Sequence, residues 1–171
     1  MLEGKRIYLR GVEIDDLNFI EKIENNPENW LISGTLIPFS RKSLEEYILS
    51  IRNLANDKQS RWIICTNDSD ISIGAIDLFE YEQTHRRAGM GIIIEKEYRM
   101  GGLASEAISL LNDYAFSFLN LTQLWANILD DNLASQGLFE KMGFIRTATK
   151  KRWFLKDGKW HDEHLYQLEN L

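Results

Sequence analysis

The chain has 171 residues, 44% hydrophobic and 27% charged, which fits one compact domain, residues 1–171, of ordinary globular composition. A net charge of −6 excludes a general nucleic-acid binder, which needs a basic face, and is compatible with a cationic small molecule or peptide as substrate. The single cysteine, Cys65, forms no internal disulfide and sits in the apolar run Trp62 to Cys65, where it reads as strand core in a reducing compartment. The first residues carry no hydrophobic leader, and no apolar run is long enough to span a bilayer. The expected location is the cytoplasm, away from membrane.

Arg6 to Arg10 alternates polar and apolar residues and predicts a first strand. A helix is expected next, with Asp15 or Asp16 near its start and Leu17, Ile20 and Ile23 on one face. Asn25-Asn26-Pro27 ends it, because a residue before proline is pushed out of helical geometry. Trp30 to Phe39 reads as an irregular apolar stretch, of the kind that packs under a lid or lines a pocket. Ser43-Leu44-Glu45-Glu46 has the pattern of a capping box, and Leu44, Tyr47, Ile48, Ile51 and Leu54 form the stripe of a second helix. Strands at Arg61 to Thr66 and Ile71 to Phe79 make a hairpin across Asn67 to Asp70, and a further strand runs from about Arg87 to Glu95.

The stretch from Ile92 to Phe118 organises the rest. A short apolar strand, Ile92-Ile93-Ile94, passes through a charged turn into Arg99-Met100-Gly101-Gly102-Leu103-Ala104. Leu103, Ala107, Leu110, Leu111, Tyr114, Ala115 and Phe118 then recur at helical spacing. A strand that turns through glycine into a helix presents free backbone N–H groups at the positive end of a dipole, a geometry suited to phosphate. Leu124 to Leu129 is the next strand, and Asp130-Asp131-Asn132 turns it into a helix through Met142 that Gly143 caps. Two final strands, roughly Phe144 to Leu155 and Lys159 to Leu168, flank the turn Lys156-Asp157-Gly158. The order β-α-α-β-β-β-α-β-α-β-β predicts a mixed α/β fold of about seven strands. Its parallel pair joins the strand before Arg99 to the strand around Trp125, with the long helix as crossover.

Two motifs now stand in order: Arg99-x-x-Gly102-x-Ala104 opening the long helix, and Asn132-x-x-Ser135-x-x-Leu138-Phe139-Glu140-Lys141-x-Gly143-Phe144 over the next. With the strand order they resemble the GCN5-related N-acetyltransferase (GNAT) superfamily, in particular its branch of ribosomal-protein N-terminal and spermidine or diamine acetyltransferases. The phrases Ile7 to Arg10, Gly74 to Phe79, His85 to Ala88 and Asp157 to Asp162 are further marks of that branch, so the resemblance covers nearly the whole chain. It implies a central, mostly antiparallel sheet flanked by helices, with the parallel pair around a CoA cleft. Other nucleotide motifs fit poorly. Gly89-x-Gly91 lacks the third glycine of a dinucleotide fingerprint and precedes its strand, and there is no P-loop. His85, His161 and His164 lack zinc-site spacing, and no metal is expected.

The resemblance implies acetyl-CoA as donor and direct attack of an amine on its thioester. The amides of Met100, Gly101, Gly102, Leu103 and Ala104, with Arg99 beside them, would hold the pyrophosphate. Ile92, Ile93 and Ile94 would pair through their backbone with the pantetheine arm and offer an amide to the oxyanion. Asn132 would bond that arm or cap its helix. The amine must lose a proton, for which Asp77 and Glu80 are candidates, Glu80 preferred as nearer the strand's end. Many members carry tyrosine at the position of Phe139, where a hydroxyl protonates the departing thiolate. Phenylalanine has none, and Ser135, one turn earlier, is the substitute. A thiol with a pKa near 8.5 already leaves tolerably as thiolate. The acceptor is a small amine such as a polyamine, or a protein N-terminus, while the missing tyrosine also admits a catalytically weak CoA-binding module. The final strands would allow a homodimer.

Overall fold

The computed structural model describes residues 1–33, 35–51 and 54–170. Its centre is an eight-stranded sheet. The strands are β1 (Leu2–Glu3), β2 (Ile7–Gly11), β3 (Ser60–Thr66), β4 (Ser72–Glu82), β5 (Arg87–Ile94), β6 (Gln123–Leu129), β7 (Ile145–Lys156) and β8 (Lys159–Glu169). They lie in the order β1-β2-β3-β4-β5-β6-β8-β7. Every pairing is antiparallel except β5 with β6, which is parallel over only three residue pairs, Arg87↔Gln123, Ala88↔Leu124 and Gly89↔Trp125. The seven expected strands are present, and β1 is a two-residue addition at the edge.

The helices are α1 (Leu17–Glu24), α2 (Pro27–Ser33), α3 (Arg41–Ser50), α4 (Leu54–Asp57), α5 (Leu103–Asp113) and α6 (Leu133–Lys141). They divide the core by sheet face. On one face Ile7, Leu9, Ile64, Ile76, Leu78 and Met90 pack with Ala107, Ile108 and Leu111 of α5 and Phe139 of α6. On the other, Ile63, Cys65 and Ala75 pack with Leu17, Ile20 and Ile23 of α1 and Leu44 and Ile48 of α3. The period-two alternation of each strand sends neighbouring side chains to opposite cores. Cys65 is fully buried, as its apolar run implies.

Four local readings change. The N-cap of α3 is Ser40, whose hydroxyl accepts from Ser43 N–H at 3.1 Å, so Ser43 lies inside the helix instead of capping it. Polar residues at both positions offered two registers, and the chain took the earlier one. The stripe from Leu44 to Leu54 is interrupted, because α3 ends at Ser50; residues 52–53 of that stripe lie outside the described residues. Trp30 to Phe39, read as irregular, begins in α2. Pro27 ends α1 and also opens α2, since its fixed φ suits a first helical position; residue 34 lies outside the described residues. Phe118, placed on the buried stripe, is exposed because Tyr114–Phe118 form a π-turn that shifts the phase of the helix.

Candidate acetyl-donor cleft and acceptor face

The shortness of the β5–β6 ladder creates the site. Past Gly89 and Trp125 the two strands separate, leaving a wedge whose apex is that last pair. Glu95 N–H donates to Ile73 O on the β4 side at 2.8 Å. By the alternation of an antiparallel ladder, Ile93 and Gly91 also face β4, so the Met90 carbonyl, whose own N–H closes the last pair with Trp125, and both backbone groups of Ile92 point into the wedge without a strand partner. Arg99 Nε donates to Ile94 O at 2.8 Å and ties the end of β5 to the loop that follows.

That loop forms one lip of the wedge. Gly102 is the N-cap of α5 at φ +79°, Met100 is left-handed at φ +65°, and no side chain caps the helix. Left-handed residues on either side of Gly101 turn successive backbone N–H groups into a concave, anion-binding arrangement, and the first-turn amides of α5 add to it. Arg6, just before β2, holds this lip. Its Nη1 donates to Gly101 O at 2.7 Å, its Nε to Glu106 at 2.9 Å, and its backbone N–H to the other oxygen of Glu106 at 2.8 Å. Burial alone would raise the Glu106 carboxyl, but the Arg6 amide and guanidinium outweigh it and hold it below its ordinary value. The sequence reading missed Arg6, because its alternating strand gives no sign of a contact so distant in the chain.

The other lip is the start of α6. Asn132 Oδ1 accepts from Ser135 N–H at 3.2 Å and caps the helix. Ser135 is half-buried one turn before Phe139. Phe139 is buried and meets Phe144 edge-on, with ring centroids 4.9 Å apart. Gly143 N–H bonds Glu140 O and Phe144 N–H bonds Phe139 O, so the aromatic pair is the apolar clasp of a Schellman C-cap, with Gly143 at φ +90°. Beside this lip Asp130, Asp131 and His161 converge, but their ligand atoms are engaged. His161 Nδ1 and Asp162 N–H hold Asp130, and Lys156 holds Asp131.

The apex is braced by aromatic rings. Phe79, Gly89 and Trp125 form one row across β4, β5 and β6, and the Phe79 and Trp125 rings meet edge-to-face at 5.1 Å over the glycine. A Cβ at Gly89 would run into the Phe79 ring. One row toward the mouth, Asp77 lies opposite Gly91, on the face that carries α1 and α3. Both Asp77 oxygens accept from Arg61 at 2.8 Å, and Arg61 also bonds Glu24. Burial opposes the Arg61 cation, but the two carboxylates, Asp77 foremost, raise its pKa and keep it charged. A cavity of about 290 Å³ opens here between the end of α3 and the start of β3, lined by Tyr47, Ser60 and Arg61 among others, and a smaller one continues it to Asp77 and Phe79. Glu80 lies past the apex, in the bulge where the β4–β5 register shifts, exposed and left-handed at φ +47°. The structure therefore brings Asp77, and not Glu80, beside the wedge.

No helix among the described residues is long and apolar enough to cross a membrane. The chain is 32% identical, over 98% of its length and 96% of the relative's, to an uncharacterized N-acetyltransferase, YoaA, of Bacillus subtilis (strain 168). It is 28% identical, over 98% of its length and 95% of the relative's, to the spermidine N(1)-acetyltransferase of Vibrio cholerae serotype O1. The crystal structure of a spermidine N-acetyltransferase from Vibrio cholerae, in complex with CoA and spermine, superposes with a TM-score of 0.86 at 26% identity, covering 97% of this chain and 96% of that one. The profile of the acetyltransferase (GNAT) domain matches residues 6–145, from Arg6, just before β2, to the first residue of β7. The fold that holds the wedge is thus shared with these acetyltransferases, and the chain belongs to the GNAT acetyltransferase family.

Proposed function

We propose that this chain transfers an acetyl group from acetyl-CoA to the primary amine of a small molecule, with a polyamine as the first candidate. The observation that carries the reading is the wedge itself. An uncapped helix start lies at its mouth, and unpaired strand backbone from the Met90 carbonyl to Ile92 runs toward a carboxylate-bearing face. The amides of Met100 to Ala104 and the Arg99 side chain would hold the pyrophosphate. Ile92, Ile93 and Ile94 guide the pantetheine arm, which reaches the level of Gly91 about 10 Å inside the mouth at about 3.3 Å per residue. Asn132 borders the arm from the other lip, and Phe139 supports that lip from beneath. Spermine and CoA bound together in the Vibrio cholerae relative support a polyamine acceptor.

In this reading the amine attacks the thioester carbon, nitrogen gains the acetyl group, and the carbon–sulfur bond breaks to release CoA thiolate. An amide facing the wedge stabilises the oxyanion. Asp77, held by Arg61, attracts and orients the ammonium. Glu80, exposed past the apex, takes the proton through solvent, and Ser135 assists the leaving sulfur. Assembly of two copies through the final strands belongs to the same proposal; a spermidine N-acetyltransferase of Vibrio cholerae has a dodecameric structure. Calorimetry with acetyl-CoA, followed by free-thiol release across a panel of polyamines, monoamines and peptides, tests the reading. Release with spermidine but not with peptides is expected. Release with peptides alone would move the acceptor to a protein N-terminus, and tight binding without release would leave a CoA-binding module.

A further inference from the structure

One buried polar atom at the wedge has no partner. Asn127 stands on β6 two residues beyond Trp125, the last residue paired with β5, and its Oδ1 is buried without a hydrogen bond among the described residues. Such an orphaned carbonyl is costly, because its lost bonds to water are not replaced. Its neighbours Ala126 and Ile128 point into the core under α5, so alternation turns Asn127 to the opposite face, with Trp125. This is the face of Asp77 and Phe79. If the β5–β6 ladder had continued, Gly91 would stand opposite Asn127, as it already stands opposite Asp77. The carboxylate and the carboxamide therefore flank a glycine, one on each side, at the depth where the thioester arrives.

We propose that Asn127 is an acceptor-binding residue: its carboxamide oxygen accepts an N–H of the incoming amine and orients the nitrogen over Gly91, opposite Asp77. The inference rests on the acetyltransferase reading above and deepens it. The chemistry of the two substrates decides the assignment. An acetyl thioester presents only a carbonyl oxygen and a sulfur at this level, neither of which can donate to Oδ1. The pantetheine amides have the unpaired carbonyls of Met90 and Ile92 to meet. The amine is the substrate that brings spare donors, and the orphan faces the side on which it must approach. Placing the site required strand register and the point where the ladder stops, neither of which a lone asparagine in an apolar strand announces.

The test compares wild type with Asn127→Leu and Asn127→Asp, using thiol release for acceptor kinetics and calorimetry for acetyl-CoA. Leucine keeps the bulk and removes the oxygen. It should lower kcat/KM for the preferred amine about ten- to a hundredfold, the worth of a hydrogen bond to a charged donor. Acetyl-CoA affinity should be unchanged, and the melting temperature equal or higher because a buried orphan has gone. Aspartate, which still accepts, should keep kcat/KM within a few-fold of wild type and guards against misfolding of the leucine variant. Unchanged amine kinetics in Asn127→Leu would overturn the proposal, as would a loss of acetyl-CoA affinity as large as the loss of turnover, which would put Asn127 on the donor side. Acetyl-CoA binding by wild type with no thiol release for any amine would sink the acetyltransferase reading and this inference with it.

Discussion

Arg61 sets the charge on the acceptor face, because one guanidinium serves the carboxylates of both Asp77 and Glu24. Its side chain is 18% exposed, so the carboxylates it leaves behind would be poorly solvated. Arg61→Met is expected to destabilise the fold by about 3–5 kcal/mol, the usual cost of stranding a buried charge, and a second change, Asp77→Asn, should recover part of it; urea titrations of the single and double variants measure both. Asp77 was legible as a strand carboxylate, but its partner was not, since strand periodicity gives the face and not the pairing. Ser135 belongs to the same scale. If its hydroxyl protonates the thiolate, Ser135→Ala should lower turnover about a hundredfold or more with acetyl-CoA binding unchanged. Turnover at the wild-type rate would remove Ser135 from the mechanism and leave the thiolate to depart unaided. Phe139 offers no alternative, because its ring is committed to Phe144 in the C-cap of α6.

At the scale of elements, the lip at Gly102 depends on β2 as much as on α5. Arg6 is bonded to Gly101 O and to Glu106 one turn into the helix, so it clamps the loop against the first turn. Arg6→Ala should weaken acetyl-CoA binding about tenfold by calorimetry, through loss of a preformed loop and a nearby positive charge, while the midpoint of unfolding moves little. The glycine turn and the long helix were legible because a strand, a glycine pair and a helical stripe follow one another without interruption. The N-cap of α3 was not, because Ser40 and Ser43 are equally good caps and only packing chooses between them. The π-turn at Tyr114–Phe118 was equally hidden. It breaks the very periodicity from which a helix is read, and the stacked rings of Tyr114 and Phe118, 5.1 Å apart at 18°, emerge only in three dimensions.

The whole molecule carries several carboxyls that the fold makes more acidic. Asp16 is nearly buried; its burial would raise the carboxyl, but the Arg10 guanidinium and the Glu13 amide outweigh that and lower it. Glu106 is lowered in the same way by Arg6, while Asp130 and Asp162 are lowered chiefly by His161 and Lys151. A carboxyl lowered in the folded state binds its proton more readily when unfolded. Its stabilisation is therefore complete above the unfolded values, about 3.9 for Asp and 4.3 for Glu, and is lost as pH falls through the folded ones. The melting temperature should be level from pH 7 to about 5 and fall below about 4. Asp16→Asn should lower the plateau and flatten part of that fall in a calorimetric pH series. At this scale the topology was the most legible feature, because one crossover helix between two apolar strands dictates where a parallel pair can form.

The aromatic brace over Gly89 has one more consequence: it is a ruler. The wedge runs from Ile94 to Gly89, five residues at about 3.3 Å each, and then meets the Phe79 and Trp125 rings, which cannot retreat while the glycine row holds them. With the pantetheine arm fixed at the mouth, the length left for an acyl chain is fixed as well. Propionyl- and butyryl-CoA should be used progressively less well than acetyl-CoA in the thiol-release assay. Phe79→Leu, which pulls the stop back by part of a ring, should narrow that difference. An unchanged chain-length profile in Phe79→Leu would mean that the acyl end never reaches the brace.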